Sequence, residues 1–400
     1  MLLDIAIIAT VVLAVLALAN RRLYRRATWR AMTTPLASII GSGFLVLGPI
    51  LDKAYGVYAP AAMAALCIGS YLYGYAIRYN IQVLDGHPAR RPALANRLET
   101  AASWSLGFAY IISVTYYLNL FGAFAMSLTT GAHDESARLV TSAAFGAIVV
   151  VGWRRGLRMQ ERLEYVTVAA KLATIAGFLV ALAIYFSGTL AAGRVVLNPP
   201  ELTGWAAWTL GFGLIVAVQG FETSRYLGDD YGAETRMRSM RWAQWLSSAI
   251  YMVYIVLLAY GFQASDIKLT ETSIIDMMRQ VAPLLPVLLV AAALAAQLSA
   301  AVADTSGSGG LFAELTQGRV TPRMGYLALG VIGLTLTWAA NVFEIISMAS
   351  RAFALYYALQ AAIAAVTARN NGEPAWKWSL FVALGLLGAA IVAFGQPVES

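Results

Sequence analysis

The sequence predicts an all-α integral membrane protein of about twelve transmembrane helices, and three observations predict it. Of its 400 residues, 60% are hydrophobic and 12% charged, where soluble domains carry about 25% charged residues. The apolar residues gather into separated runs long enough to cross a bilayer, and the mean hydropathy is +0.67. The basic residues are shared unequally between alternate loops.

Read with a window of roughly 19 residues, the first six runs cover 3–19, 33–52, 57–78, 102–128, 136–152 and 164–187. The other six cover 204–223, 242–262, 283–303, 324–341, 343–367 and 376–394. Ahead of the first run stands Asp4 and no basic residue, and behind it come Arg21, Arg22, Arg25, Arg26 and Arg30. Ala17-Leu18-Ala19 has the small residues of a cleavage site, but the charge order fits a retained helix with its N-terminus outside. Alternating sides from there, one side of the membrane collects 21 of the 28 Lys and Arg and the other collects five: Lys53, Arg138, Arg194, Lys268 and Arg279. Lys171 and Arg351 lie inside runs. The chain is thus expected in the cytoplasmic (inner) membrane, multi-pass, with both termini outside. The net charge of +7 reads as topology and not as a nucleic-acid footprint.

The connections are short, and the longest are 79–101 and 263–282, the latter external and carrying a short helix at 271–280. Cys67 is the single cysteine, so no disulfide framework exists, and His87 and His133 fall in loops on opposite sides. No His-based metal site and no cofactor are expected. Neither H-E-x-x-H nor G-x-S-x-G occurs, which argues against an enzyme.

The second and seventh runs are interrupted by glycine and polar residues in mid-span: Gly41-Ser42-Gly43 in one, and Val218-Gln219-Gly220-Phe221-Glu222-Thr223 in the other. They lie about 178 residues apart, each near the start of a five-helix block. Paired discontinuous helices in two repeats mark the solute site of secondary transporters. An unwound turn frees backbone N–H and C=O groups, which hydrocarbon tolerates only where they line a polar cavity. Small residues that let helices touch are the plainer reading of either glycine pair alone.

These residues resemble the amino acid-polyamine-organocation (APC) transporter superfamily. Ile40-Gly41-Ser42-Gly43-Phe44 is similar to the glycine-serine-glycine motif of its first core helix, and Gly220-Phe221-Glu222 to the Gly-Phe-Glu of its sixth, with a basic run at Arg236–Arg241 behind it. Val166-Thr167-Val168-Ala169-Ala170-Lys171-Leu172 resembles the fifth core helix, where proton-coupled members carry a lysine. The resemblance implies a LeuT-type fold, a 5+5 inverted repeat, over about residues 30–368. On that frame 1–28 is an extra N-terminal helix, 29–190 the first five-helix repeat, 200–368 the second with its break near 216–222, and 369–400 an additional C-terminal helix. The sequence departs from the family at Val216 and Val218, where aromatics are common, and at Asp85-Gly86-His87-Pro88, where Pro-Gly-Gly is usual.

The resemblance implies an amino acid or related small organic solute. Gly41, Ser42 and Gly43 would receive a carboxylate on backbone N–H groups, and carbonyls from Val216 to Gly220 would accept from an ammonium, together matching a zwitterion. Phe221 would be a hydrophobic lid. Lys171 lies seven residues past Glu164, about 10 Å along the helix, where a charged lysine costs at least about 2.5–3.5 kcal/mol. Desolvation loosens its hold on the proton, so it is the expected coupling group. Glu222 is either a second proton site or an acceptor for nearby backbone. Asp304, with Thr305 and Ser306, either coordinates Na⁺ or is interfacial and solvated. Glu344 and Arg351, two turns apart on one face, read as an ion pair or gate. The alternatives are a sodium-coupled or exchange carrier, or a membrane sensor that binds without translocating.

Overall fold

The computed structural model describes residues 2–41, 43–86, 92–129, 134–156, 161–228, 230–264 and 268–398, with backbone only at 85, 86, 155 and 161–163. Ser42, His87, Pro88, Arg90, Arg91, His133 and Arg158 lie outside the described residues. Among those described there is helix and no strand. The helices of the first half are α1 (Leu2–Leu18), α2 (Arg21–Tyr24), α3 (Ala27–Ile39), α4 (Gly43–Tyr55), α5 (Ala59–Gly86), α6 (Ala93–Met126), α7 (Asp134–Arg155) and α8 (Glu161–Ala191). The second half has α9 (Gly204–Gly213), α10 (Ala233–Ala259), α11 (Ser273–Arg279), α12 (Leu284–Leu315), α13 (Pro322–Ala339), α14 (Val342–Asn370) and α15 (Ala375–Phe394). Each of the twelve apolar runs falls on helix, and the short helix expected in the 263–282 connection is α11.

Among the described residues, eight stretches are long and apolar enough to span a membrane on length and composition. One of them, Gly43–Leu84, has 42 residues, about twice what a crossing needs. A 3₁₀ turn at Gly56–Tyr58 divides it into α4 and α5. The remaining runs are α1, α13 and the two interrupted helices. Helix ends follow local chemistry: Thr321 caps α13 ahead of Pro322 by accepting from Met324 N–H. Asn341 and Glu344 form a reciprocal capping box on α14, at 2.9 and 2.7 Å. That box occupies Glu344, and Arg351 Nε donates instead to Val392 O at 2.7 Å. Glu344 and Arg351 share a face as expected but do not form the anticipated pair.

Helix α6 is the axis of the molecule, packed along α12 and α14, while α10 packs on α3, α4 and α5, and α1 lies along α8. Three arginines counted as loop charges are inside the protein: Arg78, Arg225 and Arg236. Arg78 donates to Gln244 Oε1 at 2.6 Å and sits over the Tyr71 ring. The charge asymmetry survives their removal, because the other side still holds only five. Beyond α15 the chain turns back, and Gln396 N–H donates to Thr209 O of α9 at 3.0 Å.

Both expected breaks are present. α3 ends at Ile40 (φ −86°, ψ 59°), and helix resumes at Gly43. α9 ends at Gly213, gives way to a 3₁₀ turn at Ile215–Val218, and passes through extended Gln219 and left-handed Gly220 (φ +115°) into a second 3₁₀ turn at Phe221–Tyr226. Gly220 is required twice over. Its φ is one that side chains avoid, and a β-carbon there would lie 2.6 Å from Ser38 C and 2.7 Å from Ile39 N. At Gly43 a β-carbon would lie 3.1 Å from Ala217 Cα. Glycine at both points lets the two breaks touch.

Candidate functional site

Where the breaks meet, protein hydroxyls take up the freed backbone groups. Tyr251 Oη of α10 lies 2.9 Å from Ile39 O and 2.6 Å from Ala217 O, joining the first break to the second. Ser70 of α5 donates to Val218 O at 3.0 Å, and Thr223 Oγ1 to Gly220 O at 2.7 Å. Ser350 of α14 donates to Gly213 O at 2.6 Å and accepts from Val216 N–H at 3.1 Å. Of the carbonyls from Val216 to Gly220 expected to accept from an ammonium, Ala217 O is therefore held by α10, Val218 O by α5 and Gly220 O by Thr223 of the following turn, while α14 holds Gly213 O and the Val216 N–H in this conformation. Unpaired groups here would cost about 1–3 kcal/mol each, so hydroxyls at these positions are what the breaks require.

Gly41 and Gly43 lie at this junction beside the α6 tyrosines. A β-carbon at Gly41 would sit 3.9 Å from Tyr117 Cε1, and one at Gly43 3.0 Å from Tyr116 Oη. Ser42, between them, lies outside the described residues. Phe221 is 1% exposed and stacks on Tyr357 with centroids 5.1 Å apart, so it is an inner wall and not a surface lid here. Glu222 is fully buried, and its Oε2 accepts from Gly220 N–H and from Tyr357 Oη, each at 2.9 Å. Its carboxyl thus caps the second 3₁₀ turn and ties it to α14.

Lys171 and Asp304 come together with the first break. Lys171 Nζ donates to Ala37 O at 2.9 Å, four residues before Gly41. Both residues line a cavity of about 160 Å³, together with Thr34, Ser38, Tyr110, Glu164 and Thr223. Asp304 is not interfacial: it is 7% exposed and accepts from Ser113 Oγ of α6. Thr305 is bonded back to Ala301 O of its own helix at 2.6 Å. The arrangement lines one cavity beside the first break with a buried amine and a buried carboxyl.

Sequence reasoning missed the polar lock at the other end of the second break. Arg225 Nη2 meets Glu99 Oε2 of α6 at 2.6 Å, and Arg225 Nη1 donates to Gln360 Oε1 of α14 at 3.0 Å. Asn80 of α5 donates to Gln360 at 2.9 and 2.8 Å, and Arg236 Nη1 to Arg225 O at 2.8 Å. The guanidinium thus joins α6 and α14, α5 is tied in through Gln360, and α10 through the Arg225 carbonyl. The available signal was Gln360, an amide in mid-run, which an apolar span retains only with partners; Asn80, just past the third run, gave none.

A family model described as APC superfamily transporter matches residues 21–395. An uncharacterized protein of Aquifex aeolicus (strain VF5) is 40% identical over 406 residues, covering 99% of this chain and 98% of its own. The fold is similar to crystal structures of an Eremococcus coleocola manganese transporter in three mutant forms. Each has a TM-score of 0.58 at 14% identity, covering 95% of this chain and 90% of the other.

Proposed function

The chain belongs to the APC superfamily of transporters, and we propose that it is a secondary active carrier moving an amino acid or related small polar solute by alternating access, coupled to protons through Lys171. We place the arginine-rich loops in the cytoplasm and read 29–190 and 200–368 as the two repeats that rock against each other.

The observation that carries this reading is the bond from Lys171 Nζ to Ala37 O beside a cavity shared with Asp304. An ammonium has three N–H donors and no acceptor, whereas the neutral amine has a lone pair. Charged, Lys171 clamps α3 to α8 just before the break. Neutral, it keeps two N–H donors but loses the charge that strengthens the bond, so the clamp weakens and proton loss frees the inner half-helix to move. The solute lies between the breaks, replacing the hydroxyls that hold the carbonyls near Ala217 and Val218. The fold neighbours are named for manganese, and at 14% identity that likeness carries the fold and not the solute.

Uptake of labelled solutes into proteoliposomes, driven separately by a proton gradient and by a sodium gradient, tests the proposal. Accumulation with the proton gradient alone is expected. Accumulation with sodium alone would move the coupling role to Asp304, Thr305 and Ser306, and tight binding without flux would make the protein a sensor.

A further inference from the structure

We infer that Gln297 on α12 determines specificity, and that the solute presents a neutral edge with a hydrogen-bond donor beside an acceptor, as a carboxamide does. The inference rests on the transporter reading above and names its substrate class.

Gln297 is fully buried, and neither its Oε1 nor its Nε2 has a partner. Each of the other buried amides among the described residues makes at least one hydrogen bond. Gln244 pairs with Arg78 and Ser70, Gln360 with Asn80 and Arg225, and Asn119 with Thr337. A buried polar group left idle is costly, and native proteins keep one where something else completes it.

Its position follows from the register of α12 on α6. Asp304 meets Ser113, Ser308 donates to Gly107 O, and a β-carbon at Gly307 would touch Tyr110. The helices are therefore antiparallel, and each step toward the start of α12 is a step toward the end of α6. Gln297 lies seven residues before Asp304, two turns along the same face. That matches seven residues beyond Ser113, at the level of Leu120 and one turn from Tyr116 and Tyr117. Tyr116 borders Gly43, and Tyr117 accepts from Gln219 Nε2 at 3.0 Å, so this is the level where the breaks meet. Gln219, in the second break, also has an unpartnered Oε1.

Gln297 thus brings an idle donor and an idle acceptor, and Gln219 a second idle acceptor, to one level of the protein. A carboxylate would satisfy the donor and leave the acceptors idle, and an ammonium would do the reverse. A carboxamide satisfies both, its C=O accepting from Nε2 and its NH₂ donating to Oε1.

The test compares the full-length protein with Gln297→Met and Gln297→Glu. Purified protein is screened by thermal shift, and proteoliposomes by uptake, against carboxamide solutes and their shape-matched carboxylate and alkyl counterparts. Wild type is expected to bind and transport the carboxamides preferentially. Without solute, Gln297→Met is expected to melt at or above wild type, since an apolar group of similar shape relieves the idle amide, and to bind carboxamides at least tenfold more weakly. Gln297→Glu is expected to lose the preference for carboxamides over carboxylates. The inference is overturned if Gln297→Met melts clearly lower, if it keeps carboxamide affinity within twofold, or if wild type handles all three classes alike. In each of those cases wild-type flux still stands and the carrier reading survives. Absence of wild-type flux for every solute class would instead overturn the carrier reading and this inference with it.

Discussion

The carboxylate of Glu99 and the guanidinium of Arg225 lie 2.6 Å apart, with their side chains 21% and 5% exposed, and they join α6 to the end of the second broken helix. Removing one member of such a pair strands the other charge, at about 3–5 kcal/mol. Glu99→Gln and Arg225→Gln are each expected to lower the melting temperature strongly in nanodiscs. The double variant should fall by clearly less than the sum of the two, and additive losses would show that the residues do not act on each other.

Tyr251 is expected to set the balance between closed and open states. Tyr251→Phe keeps the ring and removes the hydroxyl between Ile39 O and Ala217 O, a loss of about 1–3 kcal/mol. Spin labels placed on α3 and α10 should report a larger open population in the variant. Unchanged distance distributions would rule out the bridging role.

Lys171→Met should leave the fold intact, because it removes a buried charge from an apolar span. It should abolish accumulation driven by a proton gradient while leaving solute exchange within a few-fold of wild type. Parallel loss of exchange and accumulation would show that Lys171 serves solute binding and not coupling.

Gly220→Ala should prevent correct assembly. The substitution meets a left-handed backbone, costing about 1–3 kcal/mol, and an overlap with the backbone of Ser38 and Ile39. Monodisperse yield after extraction is the measurement, and a wild-type elution profile would refute the tight contact between the breaks.

Glu271, in the 263–282 connection, provides a pH test. Burial first, and the Asp134 carboxylate second, push its carboxyl above the ordinary glutamate value. A raised value means that the folded state holds the proton more firmly. The contribution to stability is therefore present in acid, below about pH 4.3, and lost as pH rises through the folded value. Glu271→Gln should raise the melting temperature at pH 8 and change it little at pH 4.

The spans and both breaks were legible because each leaves a local mark: apolar length for a span, and glycine with polar residues for a break. Lys171 was legible for the same reason, as a cation deep in an apolar run. The partners were not. Tyr251 is one aromatic among many in the spans, and nothing near it in sequence says that it reaches Ile39 and Ala217. Ser350, Ser70 and Glu99 find their partners more than a hundred residues away. Asp304 read as solvated because it stands near a helix end by count, whereas α12 runs on to Leu315 and buries it. Periodicity gives the faces of helices, and only packing decides which faces meet.

The returning tail gives α15 a mechanical meaning. Gln396 is bonded to Thr209 and α15 lies along α14, so this last helix is stitched to α9 at one end and to α14 along its length. When α9 shifts, α15 must travel as a passenger or drag as a brake. Cutting the stitch with Gln396→Pro, which removes the donor, would tell passenger from brake by whether turnover slows or quickens.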